Sequence, residues 1–374
     1  MLQIKLLTDD EQHARICEDY WRQDERGEFV LKVEEIAASH GMKQQDVPKF
    51  VKKNAFVWRQ DIFCVQCKKA YLYTSRAQYK EKYRFRNQVC AACIEAERRD
   101  INEKKKSLIL DMRRNAQKGK IDLSSFGLTS KIFLLSTIKA LIDQTNTKIE
   151  PLRSHPACTL SPDPDYDKII LNHLIGNYML LVGVGTRLDA IEINENEHYN
   201  VNIDRCEYEL AYSYGQISNV IEDLLNDSTI NNLKRSSEFS YLCRECQLYE
   251  CLAFLKITLE DYKLHLSLGE KTRLVLNQCL EDFSVAQVCN FIWRAVKDDA
   301  IYHMRCPIDK RQAANSTINN ISRNMERALA NNWDVIPLHR NHNLPQSALS
   351  HFIFDMLLGS RDGGFERPLH ELLS

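Results

Sequence analysis

Four cysteines fall into two close pairs, Cys64-Val-Gln-Cys67 and Cys90-Ala-Ala-Cys93, with 22 residues between them. No histidine and no further cysteine lies in that interval. Deprotonated, two such pairs supply four sulfur ligands at the spacing that closes a tetrahedron around zinc. Four sulfurs leave no open coordination position. The chemistry expected is therefore structural: one Zn2+ that fastens a segment too short to fold on its own apolar burial.

The interval is also basic and aromatic. Lys68 and Lys69 follow the first pair, and Lys82-Tyr83-Arg84-Phe85-Arg86 alternates strictly. On a strand, Lys82, Arg84 and Arg86 share one face, suited to phosphates, and Tyr83 and Phe85 share the other, suited to a small core or to unpaired bases. The whole chain has a net charge of −1, but that average hides an asymmetry. Residues 1–50 carry 7 Lys+Arg against 11 Asp+Glu, residues 51–120 carry 19 against 7, and residues 121–374 carry 24 against 33. A basic block confined to the cysteine segment and the stretch just after it is the electrostatic footprint of a polyanion partner. The cysteine segment resembles zinc-ribbon and treble-clef modules, which imply nucleic-acid binding and, in some members, protein binding. HNH nucleases also use paired cysteine knuckles but need histidines beside them, which are missing here.

Upstream, residues 30–53 resemble a helix-turn-helix. Val30, Val33, Ile36 and Ala37 recur at helical spacing, Gly41 stands in the turn where a positive φ is needed, and Val47 and Phe50 would pack a third helix onto the second. The resemblance implies that the third helix approaches DNA with Lys43, Gln44, Gln45, Lys49, Lys52 and Lys53. Pro48 departs from the pattern, because it suits only a first helical turn, so the third helix is expected to start there and to be short.

Other residues with chemical potential are less ordered in pattern. His339-Arg340-Asn341-His342 follows an apolar run, Trp333–Leu338, expected to be a strand, and precedes a helix. His339, Arg340 and His342 are the place to look for acid–base or phosphate chemistry, should the chain be a nuclease-type hydrolase. Cys243, Cys246 and Cys251 lie in a helical stretch, where buried free thiols are expected; Cys289 and Cys306 would be needed to complete a second metal site. Asp163, Asp165 and Asp167 sit in the Pro-rich stretch 156–166 and its edge and are expected to belong to a linker. Phosphate-binding glycine loops, nucleophile elbows and zinc-protease helices are absent from the sequence.

The elements that must position these residues read as mainly α. Expected helices cover 8–22 (opened by a Thr8/Glu11 capping box), 29–39, a short one from Pro48, 94–118, 130–144, 167–182, 206–225, 239–260, 270–282, 285–302, 311–331 and 345–358. Strands are expected at 56–63, 71–73 and 82–86, and as one hairpin, 188–193 with 199–203. The expected organisation is a helical, helix-turn-helix-like unit (1–55), a four-cysteine zinc ribbon (56–93), a charged linker helix (94–120) and an α-rich C-terminal domain (121–374), with an internal boundary near 156–166.

No run of apolar residues reaches membrane-spanning length, and the opening Met1-Leu-Gln-Ile-Lys with Asp9, Asp10 and Glu11 is not expected to act as a secretory leader. Thirteen cysteines, an odd number in a long chain, fit a reducing cytoplasm better than a disulfide scaffold. The sequence thus leads to a zinc-containing regulator that binds nucleic acid, DNA rather than RNA, with a C-terminal domain for homo-oligomerisation or sensing. The competing expectations are a nuclease with its site in the C-terminal domain and a zinc-dependent protein scaffold.

Overall fold

The structure is a computed structural model that describes residues 2–81, 88–117, 122–145, 148–154, 159–194, 199–305 and 310–374. It is mainly helical, with small antiparallel sheets, and forms two compact units, Met1–Lys104 and Lys105–Ser374. Among the described residues, no helix is long and apolar enough to cross a membrane. The basic-aromatic stretch Lys82, Tyr83, Arg84, Phe85 and Arg86 lies outside the described residues.

The first unit begins with a strand, β1 (Leu2–Leu6), that local sequence does not announce. It pairs antiparallel with β2 (Ala55–Phe63), Leu6 opposite Ala55 and Leu2 opposite Arg59, and β2 pairs in turn with β3 (Ala70–Tyr73). Between β1 and β2 lie α1 (Glu11–Trp21), α2 (Val33–Ser39) and α3 (Val47–Asn54). The start of α1 differs from expectation. Asp10, not Thr8, is the cap, its carboxylate accepting from the backbone N–H of Gln12 and His13, because an ionised acid is the stronger acceptor at a helix N-terminus. Thr8 only accepts from the N–H of Asp10. The second helix starts four residues later than expected, since Gln23 and Phe29 form a β-bridge that uses the chain before it. The third carries Pro48 in its first turn and ends at Asn54, where β2 begins directly.

One core holds these pieces together. Ile16, Tyr20, Trp21, Ile36, Val47 and Val51 from the helices pack with Ala55, Val57 and Tyr73 from the strands. The boundary expected at 55/56 therefore runs between two elements of a shared core. Tyr79 joins it from α4 (Arg76–Lys80), a short helix between the cysteine pairs where only ribbon was expected. Arg76 locks that helix in place. Its guanidinium lies over the Tyr20 and Phe29 rings (4.5 and 4.3 Å) and donates to the Tyr20 and Leu31 carbonyls, the latter at 2.7 Å.

Helix α5 (Ala91–Gln117) crosses the division between the units. Up to residue 104 it is largely exposed, Ile94 and Ile101 included. From Lys105 on it packs into the second unit, with Ile109 buried, Lys105 donating to the Leu188 carbonyl and Arg113 paired with Glu209 at 2.6 Å. The charged linker helix expected over 94–120 is thus helical as far as Gln117, exposed in its first half and packed from Lys105 to Arg113.

The second unit is built round α10 (Ser237–Asp261), which has buried residues on nearly every face and so must be surrounded. Its neighbours are α6 (Leu128–Leu141), α11 (Glu270–Asp282) and α12 (Val285–Arg305), and α12 packs on α13 (Lys310–Ala330). A reciprocal Ser284/Gln287 capping box opens α12 as expected. Two expected helices are cut short by strands. The stretch 167–182 becomes α7 (Pro164–Gly176) and β5 (Leu180–Val182); 206–225 becomes β8 (Tyr208–Leu210) and α8 (Tyr214–Leu225), with α9 (Asp227–Lys234) next in the chain. The β8 strand pairs with β5 and with β4 (Lys148–Ile149), and that long-range pairing overrides local helical spacing. The expected hairpin forms as β6 (Ile191–Ile193) with β7 (Tyr199–Val201). Trp333–Leu338 is not a strand: its carbonyls at Val335 and Ile336 are taken by the side chains of Gln287 and Asn290. The helix expected at 345–358 is a single turn, Ala348–Ser350, that continues as a π-helix over His351–Leu357.

Candidate metal centre

The four sulfurs of Cys64, Cys67, Cys90 and Cys93 come together in the first unit, all within 4.8 Å of one another. Cys64 Sγ lies 3.9 Å from Cys93 Sγ, and Cys67 Sγ lies 3.8 Å from Cys90 Sγ. These separations are too long for disulfides. They match the edge of a tetrahedron whose centre is about 2.3 Å from each sulfur, which is about 3.8 Å.

Local structure explains the gathering. Cys64 directly follows β2, and the chain turns through Val65-Gln66-Cys67 into Lys68, whose φ of +60° is left-handed. That conformation returns the chain so that Lys68 N–H donates to the Cys64 carbonyl at 3.0 Å and Cys64 N–H to the Lys69 carbonyl at 2.9 Å. The second pair sits at the start of α5, whose first backbone N–H groups favour negative charge there. Gln88 joins the two: its carbonyl accepts from the Val65 N–H and from the Tyr71 hydroxyl at 2.7 Å.

Two backbone donors serve one sulfur. The N–H groups of Cys67 and Cys90 lie 3.5 and 3.2 Å from Cys64 Sγ. Desolvation raises the Cys64 thiol, but these donors outweigh it and bring the group down to about 6. The Cys90 sulfur, with those of Cys67 and Cys64, pushes the Cys93 thiol up to about 12. Four thiolates this close cannot coexist without a cation, and a soft divalent ion would resolve the conflict. The donor set is therefore fit to hold one metal ion, and all four positions are taken by protein.

The cations singled out from sequence are on the surface. Lys43, Gln44, Gln45, Lys49, Lys52, Lys53, Lys68 and Lys69 all lie at least partly open to solvent. Lys49 forms a loose pair with Asp46 at 3.7 Å, and the Lys68 ammonium sits 5.8 Å from the Phe63 ring centroid. Gly41 takes φ +64° between α2 and α3, as the turn requires.

The C-terminal candidates are not brought together. Arg340 is a largely buried ion-pair centre: it grips Asp362 with two contacts, at 2.8 and 2.6 Å, reaches Glu250 at 2.9 Å and lies over the Phe365 ring. His339 and His342 are exposed to solvent. No group of three or more metal-ligating side chains other than the cysteine cluster occurs among the described residues. Cys243, Cys246, Cys251 and Cys289 are buried, burial raising each thiol, and behave as small apolar residues; Cys306 lies outside the described residues.

The acidic stretch expected to be a linker is instead built into the second unit. Asp163, almost fully buried, and Asp165 share the Lys256 ammonium at 2.6 and 2.9 Å, and Asp167 accepts from Ser161. That lysine stands 91 residues away from Asp165, with no local signal to mark it. A second feature hidden from sequence is the aromatic content of the sheet's outer face. Phe56, Trp58 and Phe63 are legible as a strand, but which side they face depends on pairing.

Comparison of the chain with models of protein families, with curated proteins and with solved structures finds no match in any of the three.

Proposed function

We propose that the unit Met1–Lys104 is a zinc-stapled nucleic-acid-binding module, that its ligand is DNA held chiefly through phosphates, and that the chain is a regulatory protein. The observation that carries this reading is the coincidence of a closed four-sulfur cluster with a set of surface lysines. Surface lysines beside a rigid staple are suited to release counterions from a polyanion. In this reading zinc has no catalytic part, because no ligand position is open. Backbone contacts are favoured over base reading, since α3 has eight residues, carries Pro48 in its first turn and runs straight into β2. The C-terminal unit would provide homo-oligomerisation or sensing.

The test is a salt titration of DNA binding by the full chain and by a variant with Lys52, Lys53, Lys68 and Lys69 changed to Ala. Removing one phosphate contact lowers the slope of log K against log salt by about 0.9. The variant is expected to bind more weakly and with a shallower slope. Equal affinity and equal slope would reject the reading.

A further inference from the structure

We infer that the outer face of the N-terminal sheet is a stacking platform for single-stranded nucleic acid; this rests on the nucleic-acid reading above and names the form of the ligand. Residues opposite each other in an antiparallel pair point to the same face. Trp58 stands opposite Gln3 on β1 and Leu72 on β3, Phe56 opposite Lys5, and Phe63 opposite Ala70. The other face carries Ala55, Val57 and Tyr73, which are buried in the core. Phe56, Trp58 and Phe63 therefore line one strand on the side away from that core. Phe63 is 44% exposed and Leu72 is 57% exposed, while Phe56 and Trp58 are half-buried, so the face is open at Phe63 and Leu72 and partly open between them.

Charge selects the occupant. Lys5 is exposed at one end of the face, and Lys68 lies over the Phe63 ring at the other. None of the paired residues on this face is acidic. Asp61, in the irregular stretch between Trp58 and Phe63, is neutralised by both arms of the Arg59 guanidinium at 2.7 Å. Rings flanked by cations suit a ligand that offers flat apolar faces and phosphates in alternation.

Access to base faces selects the strandedness. The Phe56 and Trp58 ring centroids are 6.0 Å apart with their planes tilted by 45°, so each ring would receive a separate base. In a duplex the faces of each base are covered by its stacked neighbours, so rings on a protein surface can stack only on bases that are unpaired. The two rings suit bases that have left one another and rest on separate rings.

The experiment uses the full-length, metal-loaded protein with a labelled DNA strand of about 20 nucleotides, long enough for the site sizes typical of such surfaces, and with the duplex made from it. Trp58→Ala and Phe63→Ala are each expected to weaken single-strand binding roughly 5- to 100-fold, with duplex binding little changed, and Trp58→Phe to retain most of it. Leu72→Glu serves as the variant least able to disturb folding, since Leu72 is exposed. It should weaken single-strand binding by placing a negative charge on the face. Unchanged single-strand affinity in Leu72→Glu and in the alanine variants would overturn the platform while leaving the nucleic-acid reading intact. Loss of self-association in those variants, with single-strand affinity kept, would assign the face to a protein partner and overturn it likewise. Absence of any salt-dependent binding by the unaltered protein would reject the nucleic-acid reading itself.

Discussion

Twelve side chains make up the main described apolar cluster of Met1–Lys104, whereas that of Lys105–Ser374 gathers several times as many around one central helix. A core of twelve is small for independent stability, and the first unit compensates with polar fastenings: the sulfur cluster, Gln88 between the knuckles, and Arg76 across Tyr20 and Leu31. The second unit relies on apolar burial. Its buried polar groups, Arg340 with Glu250 and Lys256 with Asp163, act within a core that is already large. Sequence signals are plainest where burial is scarce, because there short-range spacing, such as that of the cysteine pairs, stands in for long-range packing.

The largest effect that can break this comparison is metal removal. Chelation, or Cys64→Ser, is expected to unfold the first unit and leave the helical signal of the second in place, giving two separate transitions in thermal unfolding. A single unaltered transition would show that the small core suffices. Next, Arg340→Ala leaves Glu250 buried without its cation and should cost about 3–5 kcal/mol in the second unit, measured by urea unfolding. Because apolar burial dominates there, the variant should still fold. Arg76→Leu should cost roughly 2–3 kcal/mol in the first unit, by loss of its charged hydrogen bonds, and should lower the midpoint of that transition alone.

A pH dependence separates the units further. Desolvation, opposed by hydrogen bonds from Ser161, raises Asp167 to about 6. The folded chain holds this proton more tightly than the unfolded chain. The resulting stability is full below about pH 4 and is lost as pH rises through about 6, roughly 2–3 kcal/mol in all. Relative to the unaltered protein, Asp167→Asn should therefore gain stability over that window, read from urea unfolding of the second unit; a difference that does not change with pH would contradict the assignment. The smallest effect is at Lys68, where φ is +60°. Lys68→Gly should relieve about 1 kcal/mol of backbone strain and raise the midpoint of the first unit.

The range of each interaction decides how much of this was legible in the sequence. The cysteine pairs were plain because ligand spacing is set by one tight turn. The helices α11 to α13 were plain because an apolar period repeats over several turns. Gly41 was plain because few other residues accept its φ. Interactions joining distant residues left no such trace. Leu2–Leu6 became a strand only through pairing with Ala55–Arg59, and Tyr208–Leu210 left the helix pattern to pair with both Lys148–Ile149 and Leu180–Val182. Arg340 looked like a reactive residue because its partners, Glu250 and Asp362, are remote in sequence. The side of β2 on which Phe56 and Trp58 stand was likewise undecidable until β1 and β3 were in place.

The four-sulfur metal centre is tested most directly by cobalt substitution of the reduced full-length protein, followed by displacement with zinc. One ion per chain should be taken up, with the charge-transfer absorption of four thiolates around a tetrahedral centre, lost in Cys64→Ser and displaced by zinc. Failure of the reduced, folded protein to take up the ion, or uptake unaffected by Cys64→Ser, would contradict it.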